Sequence, residues 1–179
     1  PGPYAEEDGT IAIDSSSDSV SDWATTAGGR RYSRTIMRGF TGMHVDGMFI
    51  DDADDADNVF TEAARVRPQN RFTRAMENRV NDEHRSIRRS LQQIVHKEGF
   101  TAYLLSIARW SPQNPKGWSQ FCRPAEYGFG PEDAPVETPY GLRDWRTVKG
   151  EVLHPRLSPG VLADKRSKMP GYEGQYNQN

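Results

Sequence analysis

The chain has little of what builds a large apolar core or a covalent framework. One of its 179 residues is cysteine, Cys122, which excludes an intrachain disulfide and a zinc site built on several thiolates. Apolar residues make up 35% of the chain and the mean hydropathy is -0.83, so we expect a small core. Neither a long apolar run nor the basic and apolar regions of a secretory signal can be found.

We therefore expect a soluble protein that is not secreted and does not insert into a membrane. It would be intracellular or lie within a particle, and a targeting segment removed earlier would leave no trace. The common catalytic and nucleotide-binding motifs are also missing: there is no GxGxxG, no P-loop and no GxSxG. Since no histidine lies near Cys122 in sequence, a packing role suits that thiol better than a nucleophilic one.

An acidic run from Asp51 to Asp57 is the one pattern that resembles a metal site. It lacks the glycine and the bidentate glutamate of a calcium loop. It contains the DDxxD spacing that holds magnesium and diphosphate, but the chain is too short and too polar for the apolar cavity that such enzymes need. Helix capping explains the run better than metal binding. We predict a protein that is not an enzyme and has no cofactor, no metal and no small-molecule substrate.

Charge is abundant and segregated along the chain. Residues 1–62 hold 13 acidic and 4 basic residues, a balance of -9, whereas residues 63–123 hold 12 basic and 4 acidic residues, a balance of +8. The remainder holds 7 basic and 8 acidic residues, a balance of -1. Blocks of opposite sign attract, especially where their contact excludes water. Arginine outnumbers lysine by 18 to 5, and guanidinium groups suit bidentate contacts with carboxylates or phosphates.

Composition divides the chain into three segments. Residues 1–29 are acidic and rich in serine, which predicts a low-complexity arm with Trp23 as its large anchor. Residues 30–110 are predicted to be a helical core, with one or two brief strands or a packed loop between residues 30 and 50. Residues 111–179 contain 9 of the 12 prolines, which predicts an extended arm held down by aromatic side chains. The expected anchors of that arm are Trp118, Phe121, Tyr127, Phe129 and Trp145.

Three helices are predicted within the core. The first follows the acidic residues 51–58 and ends at Pro68. The second is the main feature, an amphipathic helix from Asn70 to Glu98 with an apolar stripe on one side and basic residues on the other. Gly99 is expected to end it, and the third helix starts near Thr101. The predicted fold class is therefore mainly α: a small two- to three-helix core with extended, largely irregular N- and C-terminal arms.

The basic side of the long helix is the candidate binding face for carboxylates or phosphates. The pattern favours a non-catalytic structural or interaction subunit of a larger multi-chain assembly, such as a virus particle. Its partners would be other protein subunits, including copies of itself, which its arms would wrap. Two alternatives stay open: a coat or nucleocapsid-type protein that binds nucleic acid, despite the net charge of -2, and an accessory subunit of an organellar complex. The residues of the candidate face are Arg71, Arg74, Arg85, Arg88 and Arg89.

Overall fold

A computed structural model describes residues 11–38, 40, 42–130 and 138–178 of the chain. The fold mixes helices and short strands, with 24% of the residues helical and 20% in strands. The prediction of a mainly α fold is therefore wrong. Backbone contacts divide the chain into two compact units, one that ends at Gly42 and one that starts at Met43.

The first unit is a three-stranded antiparallel meander. Strand β1 (Ile13–Asp18) pairs with β2 (Asp22–Thr25), and β2 pairs with β3 (Arg30–Tyr32). At the first turn, the amides of Ser19 and Asp22 each donate to the carbonyl of the other residue, at 3.0 and 3.4 Å. The prediction of an irregular N-terminal arm is wrong for these strands. Turns and backbone hydrogen bonds form a sheet here even though no deeply buried core supports it. The part of that arm before Ile11 lies outside the described residues.

The second unit begins with a strand, a helix and a parallel strand. Strands β4 (Gly47–Asp51) and β5 (Ile87–Leu91) form a two-stranded parallel sheet, and α1 (Glu62–Ala75) lies between them in sequence. A parallel pair needs such a long crossover connection, since a tight turn joins only antiparallel strands. The helix starts at its N-cap Thr61, whose hydroxyl accepts a hydrogen bond from the Ala64 amide at 3.3 Å.

The predicted long helix from Asn70 to Glu98 is wrong, as is the predicted helix end at Pro68. Helix α1 continues through Pro68, which is buried with Phe72, so tertiary packing outweighs the cost of an internal proline. Beyond α1 the chain turns at Asp82, whose carboxylate accepts a hydrogen bond from the His84 amide at 2.7 Å. The residues after this turn form β5.

The helix expected near Thr101 is confirmed as α2 (Phe100–Ile107). Gly99, which was predicted to end the long helix, is instead the N-cap of α2. A carboxylate distant in sequence caps this helix: the Phe100 amide donates to Asp54 Oδ2 at 2.7 Å. A Cβ atom at Gly99 would lie 2.4 Å from the same oxygen, so this approach requires glycine.

The C-terminal part of the second unit is also folded. It contains α3 (Pro159–Lys168) and a short π-helix (Glu173–Asn177). Ala125, Leu162 and Tyr172 are buried together there, so the prediction of an extended, irregular C-terminal arm is wrong over these residues. Residues 131–137 of that segment lie outside the described part of the chain. Among the helices that the structure describes, none combines the length and the apolar character needed to cross a membrane.

Candidate interaction surfaces

The five arginines of the predicted basic face do not share one helix face. Arg71 and Arg74 lie on α1, Arg85 lies in the following turn, and Arg88 and Arg89 lie on β5. Successive side chains of a strand point to opposite faces, so Arg88 and Arg89 point away from each other. Arg88 is half-buried and Arg89 is exposed. The structure therefore does not assemble these residues into a continuous basic stripe.

Arg88 is engaged by its own chain. Its Nη2 donates to both carboxylate oxygens of Glu83 at 2.8 Å and to the carbonyl of Glu77 at 3.0 Å. This arginine therefore binds a carboxylate of its own chain. Carboxylates and phosphates were the two kinds of partner predicted for the arginines. The neighbouring Arg89 lies on the opposite face of β5.

The aromatic anchors predicted for the C-terminal arm pack against their own chain. The guanidinium of Arg123 lies between two of them, with its carbon 4.4 Å from the Phe121 ring centre and 4.3 Å from the Trp145 ring centre. The ammonium nitrogen of Lys149 lies 5.1 Å from the centre of the Phe129 ring. Such contacts between a cation and an aromatic face are attractive. These anchors therefore stabilise the chain's own fold in addition to whatever they contact outside it.

The other predicted anchors also have intrachain neighbours. Trp118 packs edge-on against Phe72, with ring centres 6.2 Å apart. Trp23 is half-buried on β2, where it is opposite Arg31 on β3. Tyr127 lies 5.6 Å from the guanidinium carbon of Arg146.

Arg146 is a buried structural residue that the sequence pattern does not reveal. Its side chain is fully buried and forms an ion pair with Asp144 at 2.7 Å. It also donates to the carbonyls of Pro124, Ala125 and Glu151 at 2.8, 3.3 and 3.0 Å. The hydrogen bonds from Arg146 hold the pKa of Asp144 below its usual value. No periodic sequence pattern indicates this cluster, because its residues come together only in the folded chain.

A second charged group surrounds Tyr172. Arg166 donates to Glu126 at 2.5 Å and to Glu173 at 3.0 Å, and its guanidinium carbon lies 4.6 Å from the Tyr172 ring centre. The Tyr172 hydroxyl donates to Glu126 at 3.1 Å. Burial, reinforced by the negative charge of Glu126, raises the pKa of Tyr172 to about 12.

The acidic run between β4 and α1 serves local structure. Asp55 accepts hydrogen bonds from the side chain of Asn58 and the amide of Asp57, and these bonds lower its pKa. Burial raises the pKa of Asp54, and its bond from the Phe100 amide opposes that shift. Within the described residues, no group of three or more His, Cys, Asp or Glu side chains is placed to hold a metal ion.

One face of the parallel sheet is exposed in the described part of the chain. Met48 and Ile50 point inward and are buried, whereas Phe49 on the other face is 74% exposed and Leu91 is 73% exposed. Parallel sheets are normally covered on both faces, so this exposure is unusual. We call the exposed residues of this side, namely Phe49, Asp51, Ile87, Arg89 and Leu91, the outer sheet face.

A cavity of about 280 Å³ lies between the end of β5, helix α2 and the segment from Trp118 to Arg123. Its apolar wall includes Ile94, Leu104 and Leu105. We call it the β5–α2 cavity. Neither this cavity nor the outer sheet face was identified from the sequence, because both depend on β5, which had been assigned to a helix.

Comparison of the chain with protein-family models, with curated proteins and with solved structures finds no match. The geometry of the two surfaces therefore carries the functional argument.

Proposed function

We propose that this protein is a non-catalytic interaction subunit that assembles with copies of itself through the outer sheet face. The supporting observation is the exposure of Phe49 and Leu91, at 74% and 73%, on a sheet whose type is normally covered on both sides. A second copy would cover these rings and methyl groups, and the burial of apolar surface would drive association.

The charges of this face suit a like copy. It carries one cation, Arg89, and one anion, Asp51, so two copies meet without a net excess of either sign. Phe49 and Arg89 are register neighbours on the two strands. A two-fold axis parallel to the strands would place Arg89 of each copy opposite Phe49 of the other, a self-complementary contact of a cation with a ring.

The proposed role in an assembly is the one predicted from the sequence, but the mode of association is different. The described parts of the N- and C-terminal segments are folded, so a surface contact replaces the wrapping arms as the mode of association. The kind of assembly, whether a virus particle or an organellar complex, stays a prediction. Nucleic-acid binding also stays a prediction, and the divergence of Arg88 and Arg89 on β5 does not favour it.

The test is the mass of the full chain in solution, measured by sedimentation velocity over a wide concentration range. We expect the wild-type protein to exceed the monomer mass of 20.2 kDa and the Phe49→Asp variant to return to it. Phe60→Asp is the matched control, because Phe60 is also 74% exposed but lies outside the sheet.

Circular dichroism tests whether each variant retains the wild-type secondary structure. A wild-type chain that stays at the monomer mass at every concentration would overturn the proposal. Equal loss of association in Phe49→Asp and Phe60→Asp would overturn it as well, because the effect would then not depend on the sheet.

A further inference from the structure

The β5–α2 cavity combines an apolar wall with a single charged group. Leu104 is almost fully buried, and it forms the wall together with Ile94, Leu105 and Trp118. Among the described lining residues, Arg123 is the one charged side chain. The volume of about 280 Å³ lies near the lower limit of small-ligand pockets, about 300 Å³. A ligand of this cavity should therefore be small, largely apolar and negative at one end.

Arg123 is held in place with donors to spare. The rings of Phe121 and Trp145 fix the plane of its guanidinium, and Nη2 donates to the Arg143 carbonyl at 2.5 Å. Its Nε is buried, and no acceptor in the described part of the chain bonds to it. That buried nitrogen is out of reach of a ligand, so the other N–H groups of Arg123 would bind the anion, and an immobilised guanidinium loses little entropy in doing so.

Two of the amide side chains that line the cavity have partners within the chain. The Gln92 amide donates to the Ile50 carbonyl and to the Ser90 hydroxyl, at 3.3 and 3.0 Å. Gln178 accepts a hydrogen bond from the Ile94 amide at 3.3 Å. These amides are used by the fold, which leaves Arg123 as the group best suited to bind an anion. One arginine beside an apolar wall suits a monoanionic carboxylate better than a phosphate, which needs more donors.

We infer that the β5–α2 cavity binds an apolar group that ends in a carboxylate, with Arg123 as the partner of that carboxylate. The same chemistry occurs in a medium-chain fatty acid and in a peptide whose last residue is apolar. The cavity adjoins the proposed assembly contact at Leu91, which lines it, whereas Phe49 belongs to the assembly contact alone.

The test uses the full chain and two pairs of probes that differ only at the carboxyl end. Octanoate is compared with octanamide, and acetyl-trialanyl-leucine with its C-terminal amide, by isothermal titration calorimetry. We expect each acid to bind about tenfold more tightly than its amide, as a hydrogen bond to a charged group implies. The acid that binds more tightly, octanoate or the peptide, identifies the source of the ligand.

Location and mechanism are tested by variants and by the single cysteine. Cys122 lines the cavity, so a bound acid should slow its alkylation by a maleimide. Arg123→Gln should remove the preference for acid over amide, whereas Phe49→Asp should retain it and lose only self-association. The inference is overturned if the wild-type protein binds the acids no better than the amides. It is also overturned if the acids bind without protecting Cys122.

Discussion

The region around α1 and α2 and the region after residue 111 are stabilised by different interactions. In the first, Phe72 and Phe100 are buried and meet edge to face, with ring centres 5.8 Å apart. In the second, aromatic rings pack against cations, as in the sandwich of Phe121, Arg123 and Trp145. The first region packs aromatic rings against each other, and the second packs aromatic rings against cations.

This difference shows how a proline-rich segment with few regular elements becomes ordered. Prolines limit the length of its helices and strands, but they do not prevent side chains distant in sequence from meeting. A guanidinium on an aromatic face provides both dispersion contact and electrostatic attraction, and its N–H groups remain available for carbonyls and carboxylates. Aromatic residues in such a segment therefore indicate internal packing when arginines are present in the same segment.

Arg146→Ala is the change expected to disrupt the C-terminal region most. Its loss would leave Asp144 without its buried partner and would leave the carbonyls of Pro124 and Glu151 without a donor. We expect the free energy of unfolding to fall by about 3–5 kcal/mol, the usual effect of breaking a buried ion pair. Urea denaturation, followed by tryptophan fluorescence and circular dichroism, measures this loss.

Arg143→Ala is the control for that variant, because Arg143 is exposed and three positions away. Its effect should stay within about 0.5 kcal/mol, as for most surface substitutions. If the two alanine variants unfold at the same urea concentration, the buried arginine does not organise the C-terminal region.

Asp54→Ala tests a polar contact in the region that is otherwise held by apolar packing. The substitution removes the oxygen that accepts from the Phe100 amide at the start of α2. We expect a loss of about 1 kcal/mol in the free energy of unfolding, the typical value of a helix N-cap. Asp54→Asn retains an acceptor without the charge, so it should lose less than Asp54→Ala. Equal losses in the two variants would mean that the cap bond contributes nothing.

Local signals in the sequence predicted part of this fold. Helix α2 was expected near Thr101 because its residues are apolar nearly all round. One or two brief strands or a packed loop were expected between residues 30 and 50, where β3 and most of β4 lie. Strand β5 was missed because its two apolar residues, Ile87 and Leu91, are four positions apart, which is the spacing of one side of a helix. Its partner β4 is 40 positions earlier, as the pairing of Gly47 with Ile87 shows, so no local pattern reports the contact.

The surfaces that carry the functional proposals were less predictable than the elements. Arg88 and Arg89 were identified as binding residues, but assigning them to a helix placed them on one face, whereas the strand separates them. Arg123 and Arg146 were missed, since their partners are brought to them by tertiary folding. The excess of arginine and the aromatic residues after residue 111 were the only signal, and a composition does not say which ring meets which cation.

Tyr172 should make the free energy of unfolding depend on pH in alkaline solution but not at neutral pH. Its pKa is raised to about 12, mainly by burial, whereas an unfolded chain releases a tyrosine proton near pH 10. Between these values the unfolded state binds fewer protons than the folded state, so the free energy of unfolding falls as the pH rises. Tyr172→Phe removes this titration and retains the ring that stacks on Tyr176 at 5.0 Å. Urea denaturation at a series of alkaline pH values should therefore show a shallower decline for the variant than for the wild-type protein. Identical slopes would mean that the hydroxyl of Tyr172 titrates in the folded chain as it does in the unfolded one, and that its bond to Glu126 does not help to hold the C-terminal region together.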